Sequence, residues 1–185
     1  MMQRIQRFLV DAKGNAAAEL AMVIPLMLTL MFGSLELGNL FLDEHALTKQ
    51  VRDGARFASR LELSSTYDCS GGDIFAASDY DTQIINVTKN GAVTGTGTPR
   101  WTSYWDRTCD NGKPVVEVTT RCVPKTAIDT DDDGHTGIYT SLAGTDIPVV
   151  KVTANVQYRS VLSAIGIDAT NVCLSAESEA AVAGS

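Results

Sequence analysis

From Leu20 to Leu42 the chain runs for 23 residues with Glu36 as its one ionisable side chain. A helix of that length crosses a hydrocarbon core of roughly 30 Å. The run exceeds the roughly 7–15 apolar residues of a secretory signal, and no small-residue cleavage site follows it. The segment therefore reads as a retained transmembrane helix. Pro25 removes a backbone donor inside it and should kink or loosen it. Gly33 and Gly38 leave notches where another helix can approach closely, or reflect ordinary tolerance of glycine in lipid. Glu36 either lies near the outer headgroups, within reach of water, or meets a partner helix.

The pattern then changes without a break. Leu47, Val51, Ala55, Ala58 and Leu61 recur at steps of four, four, three and three, which is one apolar face of an amphipathic helix. Lys49, Arg52, Arg56 and Arg60 fall on other faces and read as a solvated surface rather than an anion site. A continuous helix over residues 15–63 would be about 70 Å long. Its lower half suits lipid, and its upper half would lay an apolar stripe on a globular head.

Residues 64 to 114 carry a weaker signal. In "DYDTQIINVTKNG" an Asp can cap a short helix that stops at Asn90-Gly91, although Ile84, Ile85 and Val87 also suit a strand. "GAVTGTGTPRW" is a flexible loop without the lysine and helix of a phosphate loop. Later segments alternate. Val116, Val118 and Cys122 share one face. Val150, Val152, Ala154, Val156 and Tyr158 alternate with Lys151, Thr153, Asn155 and Gln157, the pattern of a half-buried antiparallel strand. "NVCLSAESEA" gives a third. The expected class is α+β: a long N-terminal transmembrane helix continuing into a head with an antiparallel sheet of about three or four strands.

Charge sharpens the picture. The formal net charge is -7, and the first fourteen residues carry Arg4, Arg7 and Lys13 against Asp11. The remainder is thus strongly acidic, which argues against nucleic acid as a partner. The basic leader, with Asp43 and Glu44 beyond the span, places the N-terminus in the cytoplasm by the positive-inside rule. Lys49, Arg52 and Arg56 on the far side weaken that asymmetry. The four cysteines, Cys69, Cys109, Cys122 and Cys173, all follow the span. No pair has metal-site spacing, so two disulfides in an oxidising space such as the periplasm are expected. Of the three connectivities, chain order favours Cys69–Cys109 with Cys122–Cys173. Against that, Cys122 falls on the apolar face of its strand, whereas Cys173 falls opposite Val172 and Leu174.

One stretch suits a cation. In "DTDDDGHTGIYT", Asp129, Asp131 and Asp133 with Gly134 match the first half of a calcium loop, and His135 can add a backbone carbonyl. The twelfth position is Thr140, so the usual bidentate carboxylate is absent unless Asp146 or another residue supplies it. The plainer reading is an acidic solvated turn. Enzyme motifs are lacking: His45 lies beside the span, His135 lies in the acidic loop, and neither has a catalytic partner in sequence.

Glu19 is the residue that the apolar pattern does not explain. It stands five residues after Gly14, in the first turns of the greasy helix, where a carboxylate is costly. A basic leader, a glycine and a glutamate at this spacing resemble the processing motif of type IV prepilins. "GNAAAELAMVIPLMLTLMFGSLELGNLF" followed by "ALTKQVRDGARFAS" is similar to the TadE-like family, the TadE and TadF minor pseudopilins of the tight-adherence (Flp) pilus machinery. The resemblance covers residues 7 to 60 and recovers in "VKVTANVQYRSVL" and "VCLSAESEA". Leu20 stands where an aromatic is common.

The resemblance implies cleavage by an aspartic prepilin peptidase on the cytoplasmic side after Gly14. Asn15 becomes the new N-terminus and Glu19 the fifth mature residue. It implies a division into a leader (1–14), a transmembrane helix (15–42), a helical extension (43–63) and a periplasmic α+β head (64–185). It also implies a single inner-membrane span, with other pilins and pilus-assembly proteins as partners. The subunit would enter, initiate or cap a pilus, or help to assemble it. A permanent inner-membrane protein, with a calcium-stabilised head that binds assembly components, is the alternative.

Overall fold

In a computed structural model of the chain, the described residues are 12–62, 67, 69, 78–97, 105, 108–109, 112–127, 139, 146–166 and 172–183. Helix α1 spans Ala12–Ala58 and α2 spans Ser78–Asn90. Strands β1 (Val116–Pro124), β2 (Asp146–Gln157) and β3 (Cys173–Ala181) follow. Short 3₁₀ turns at Lys125–Ala127 and Val161–Ile165 come after β1 and β2. The chain divides into two compact units: Met1–Phe41 with Ser160–Asp168, and Leu42–Arg159 with Ala169–Ser185.

In the first unit, α1 is apolar and exposed from Ala16 to Leu35. It is long and apolar enough to cross a membrane. Pro25 lies inside it without ending it. The hydroxyls of Thr29 and Ser34 donate to the carbonyls of Pro25 and Met31, so neither is left unpaired on the apolar surface.

In the second unit, the predicted stripe is the core. Leu47, Val51, Ala55 and Ala58 are almost fully buried. Asp43 and Gln50 are buried on the same side of the helix, and neither stands out in the apolar pattern. Gly54 has a packing role: a Cβ there would overlap the Thr88 hydroxyl and stand 3.2 Å from the Thr88 Cβ. Thr88 is buried and donates to the Ile84 carbonyl at 2.8 Å, so it has little freedom to withdraw.

The helix ends at Ala58 rather than near residue 63. Arg60 and Leu61 donate to the carbonyls three residues back, Phe57 and Ala58, which tightens the last turn. The Tyr67 hydroxyl donates to the Ala58 carbonyl at 2.7 Å, and the Ala183 amide donates to the Ser59 carbonyl at 2.8 Å. Carbonyls that a longer helix would have used internally are thus satisfied from elsewhere in the unit.

Helix α2 forms where capping and β-branched content pulled in opposite directions. Its apolar residues have helical spacing, and Ile84 and Thr88 are buried one turn apart. Gly91 ends it with φ 71°, a conformation that side chains disfavour.

The sheet has the order β1-β2-β3, all antiparallel. Val150, Val152, Ala154 and Val156 of β2 are buried. In register with them, Val116, Ala154 and Ala176 form one row across three strands, and Val156 faces Leu174. The opposite face is charged: Arg121 pairs with Glu179 at 2.8 Å and Lys151 with Glu177 at 2.6 Å. Both pairs lie largely in water and add little stability.

The disulfides correct the pairing favoured by chain order. Cys69 bonds Cys122, and Cys109 bonds Cys173. The sheet explains why Cys122–Cys173 is impossible. Cys122 lies opposite Pro148 and Cys173 opposite Gln157, on the two flanks of β2. That places them about 30 Å apart along the strand direction, far beyond the reach of a disulfide. They also face opposite sides of the sheet, as their positions in the alternating pattern indicated.

Candidate functional site

Three groups of residues carry the sequence-based expectations. Gly14 and Asn15 lie in the first turns of α1. Glu19 follows on the exposed surface of the helix, with Met22 and Val23 exposed one turn further on. Among the described residues, no hydrogen-bond or ion-pair partner meets the Glu19 carboxylate. A carboxylate on an apolar helix surface is stable in lipid only if a cation or a set of donors comes to it. Among the described residues none does so.

Glu36 is handled differently. Its Oε2 accepts from the amides of Val161 at 3.0 Å and Leu162 at 3.2 Å. A segment of the same chain thus meets this carboxylate. The segment is built to present those amides. Ser160 is its N-cap, with its side chain accepting from Leu162 N, and Gly166 closes it in the left-handed conformation. Sequence reasoning passed over this segment. The visible signal was a serine and a glycine bracketing five largely apolar residues.

Gly33 and Gly38 have open space where a Cβ would stand, so both notches are unfilled in the single chain. The acidic stretch, with Asp129, Asp131, Asp133 and His135, lies outside the described residues. Among the described residues no group of three or more His, Cys, Asp or Glu is placed to hold a metal.

Of the perturbed groups in the second unit, Tyr67, Asp81, Tyr139 and Lys151, the first two bear on the end of α1 and on α2. Burial raises the Tyr67 phenol well above its ordinary value, and the neutral phenol is the form that donates to Ala58. Burial also raises the carboxyl of Asp81, one of whose oxygens is enclosed without a hydrogen-bond partner. These perturbations mark packing around α2 and the end of α1.

Glu19, Pro25, Glu36 and Gly54 thus lie along one helix that is lipid-compatible below and packed above. Residues 14–56 match the TadE-like protein family. The TadE-like segment begins on Gly14 and ends two residues before α1 does. It therefore includes Glu19, both glycine notches and most of the buried stripe, while α2 and the sheet lie outside it. No curated protein and no solved structure matches the chain significantly.

Proposed function

We propose that this chain is a minor pilin or pseudopilin of a tight-adherence pilus, processed by a prepilin peptidase after Gly14. The TadE-like match supports a place in pilus assembly. The observation that carries the finer reading is Glu19, exposed on an apolar helix with no partner among the described residues. Cleavage after Gly14 would create an amine at Asn15. Inside an assembly that amine is a charge removed from water, and the Glu19 carboxylate of a neighbouring subunit offsets it. The residue that destabilises one helix alone then rewards association.

In this reading the N-terminus faces the cytoplasm, α1 crosses the inner membrane, and the head with its two disulfides stands in the periplasm. The chain assembles rather than catalyses. Its partners are the peptidase, other pilins and pilus-assembly proteins.

N-terminal sequencing of the protein from membranes tests processing, and the expected first residue is Asn15. Retention of Met1 would favour a permanent membrane protein. Glu19→Ala should leave insertion and cleavage intact but abolish cross-links to other pilins and pilus formation. Normal pili from that variant would end the pairing role.

A further inference from the structure

The contact between Glu36 and the Val161–Ile165 turn fixes a level along α1. Val161 N and Leu162 N both lie within hydrogen-bond distance of Glu36 Oε2, so this turn lies beside the helix at the height of Glu36. The outward surface of the helix is still apolar there and beyond. Leu37 is 52% exposed and Phe41 51% exposed. From Glu36 to Phe41 the helix rises about 7.5 Å. The turn therefore lies at a height where the helix continues to present a surface suited to lipid.

Its own chemistry fits the same environment. Val161 is 53% exposed. The polar groups at its start are satisfied inside the chain: the amides of Val161 and Leu162 by Glu36, the amide and hydroxyl of Ser163 by the Ser160 carbonyl. At its end the Gly166 amide donates to the Ser163 carbonyl. Backbone without free donors is the condition for entering a region that lacks water. A loop in water has no such need, because water supplies the partners.

We propose that Val161–Ile165 is a second membrane-contact element, seated in the interfacial region of the leaflet on the head's side. Glu36 is the residue that positions it. The occupant of the Val161 face is phospholipid: the glycerol and upper acyl region of the bilayer that α1 crosses. This rests on the membrane-spanning reading of α1. The element lies along the surface, as interfacial segments do, rather than spanning. It turns a single-helix attachment into a two-point one and limits rotation of the helix about its axis.

The test uses the full chain. The four native cysteines are all bonded, so a cysteine placed at Val161 is the single free thiol. It is tagged with a nitroxide, and the protein is reconstituted in phosphatidylethanolamine–phosphatidylglycerol vesicles. Collision of the label with oxygen, which concentrates in lipid, is compared with collision with a water-soluble nickel chelate. Labels at Leu28→Cys in the apolar run and Val93→Cys after α2 give the lipid and water references. The expected oxygen-to-nickel ratio at Val161→Cys lies several-fold above that at Val93→Cys, towards that at Leu28→Cys.

A watery ratio at 161 with a lipid ratio at 28 would overturn the inference and leave the span intact. Watery ratios at both would remove the span and the inference with it. A label that neither collider reaches would mean that protein covers the face, which also overturns it. In a Glu36→Leu background the ratio at 161 should fall towards the value at 93. An unchanged ratio there would refute Glu36 as the positioning residue.

Discussion

Residues 16–42 and 43–58 belong to one helix, yet they use their side chains in opposite ways. In the lower stretch apolar residues occupy nearly all faces, and Leu20, Met22, Leu26 and Leu30 are each more than half exposed. In the upper stretch apolar residues are confined to one stripe, and Leu47, Val51, Ala55 and Ala58 are buried almost completely. Both are α-helix throughout. The difference lies in which solvent each surface suits: lipid around the lower stretch, the protein's own core against one side of the upper. The comparison also assigns meaning to the polar residues. Asp43 and Gln50 in the upper stretch are enclosed by the fold, whereas Glu19 in the lower stretch is exposed.

Substitutions matched across the boundary test that contrast. The largest effect is expected from Leu47→Ala, which leaves a cavity in a packed core and should cost about 2–5 kcal/mol of head stability. Leu30→Ala, in the exposed stretch, should leave the melting temperature of the detergent-solubilised protein unchanged. Equal losses from both would show that the lower stretch is also core.

A smaller difference is expected between glycines. Gly54→Ala pushes a methyl into Thr88 and should cost about 1–3 kcal/mol through overpacking. Gly38→Ala meets open space and should not affect the melting of the single chain. If Gly38→Ala nonetheless impairs cross-linking to the proposed pilus partners, its notch belongs to an interface. Identical behaviour of the two variants in both assays would contradict the contrast.

The smallest effect concerns the point where the helix ends. Tyr67→Phe removes one donor to the Ala58 carbonyl and should cost about 0.5–1.5 kcal/mol. Burial raises the Tyr67 pKa from its ordinary 10.0. The folded state thus favours the protonated phenol, and the sign follows. Its contribution is fully present below pH about 10 and declines as pH rises beyond the unfolded pKa. Thermal melts between pH 8 and about 11 should therefore show a steeper alkaline loss for the wild type than for Tyr67→Phe. Parallel curves would remove Tyr67 from the account.

Much of this architecture was legible because it rests on periodicity. The stripe from Leu47 to Ala58 and the alternation from Val150 to Val156 each state which face is buried, and the structure buries those faces. What was not legible depends on contacts between distant segments. The end of α1 at Ala58 is set partly by Tyr67 and Ala183, which no local pattern around residue 58 reveals. The role of Glu36 depends on a turn more than a hundred residues later. The disulfide pairing was half legible: the opposite faces of Cys122 and Cys173 were the informative signal, and proximity in sequence was the misleading one. The roles of Gly14 and Glu19, and of Asp129, Asp131 and Asp133, rest on motif and local chemistry.

The two disulfides interleave: the first cysteine bonds the third, and the second bonds the fourth. If the head crosses the membrane from its N-terminal end, as the proposed topology requires, that order has a cost in time. Cys69 and Cys109 emerge while Cys122 is still behind the membrane, so the first bond an oxidant can make is the wrong one. The template that would prevent it is late as well. Cys173 enters with β3, after β2 has waited unpaired on that edge. Oxidation alone therefore favours a trapped intermediate. Maturation of the head then calls for thiol–disulfide exchange, in which a thiolate attacks the premature bond and lets the sheet choose the partners. The yield of the protein would accordingly depend on the isomerase capacity of the compartment that receives its head, more than on how strongly oxidising that compartment is.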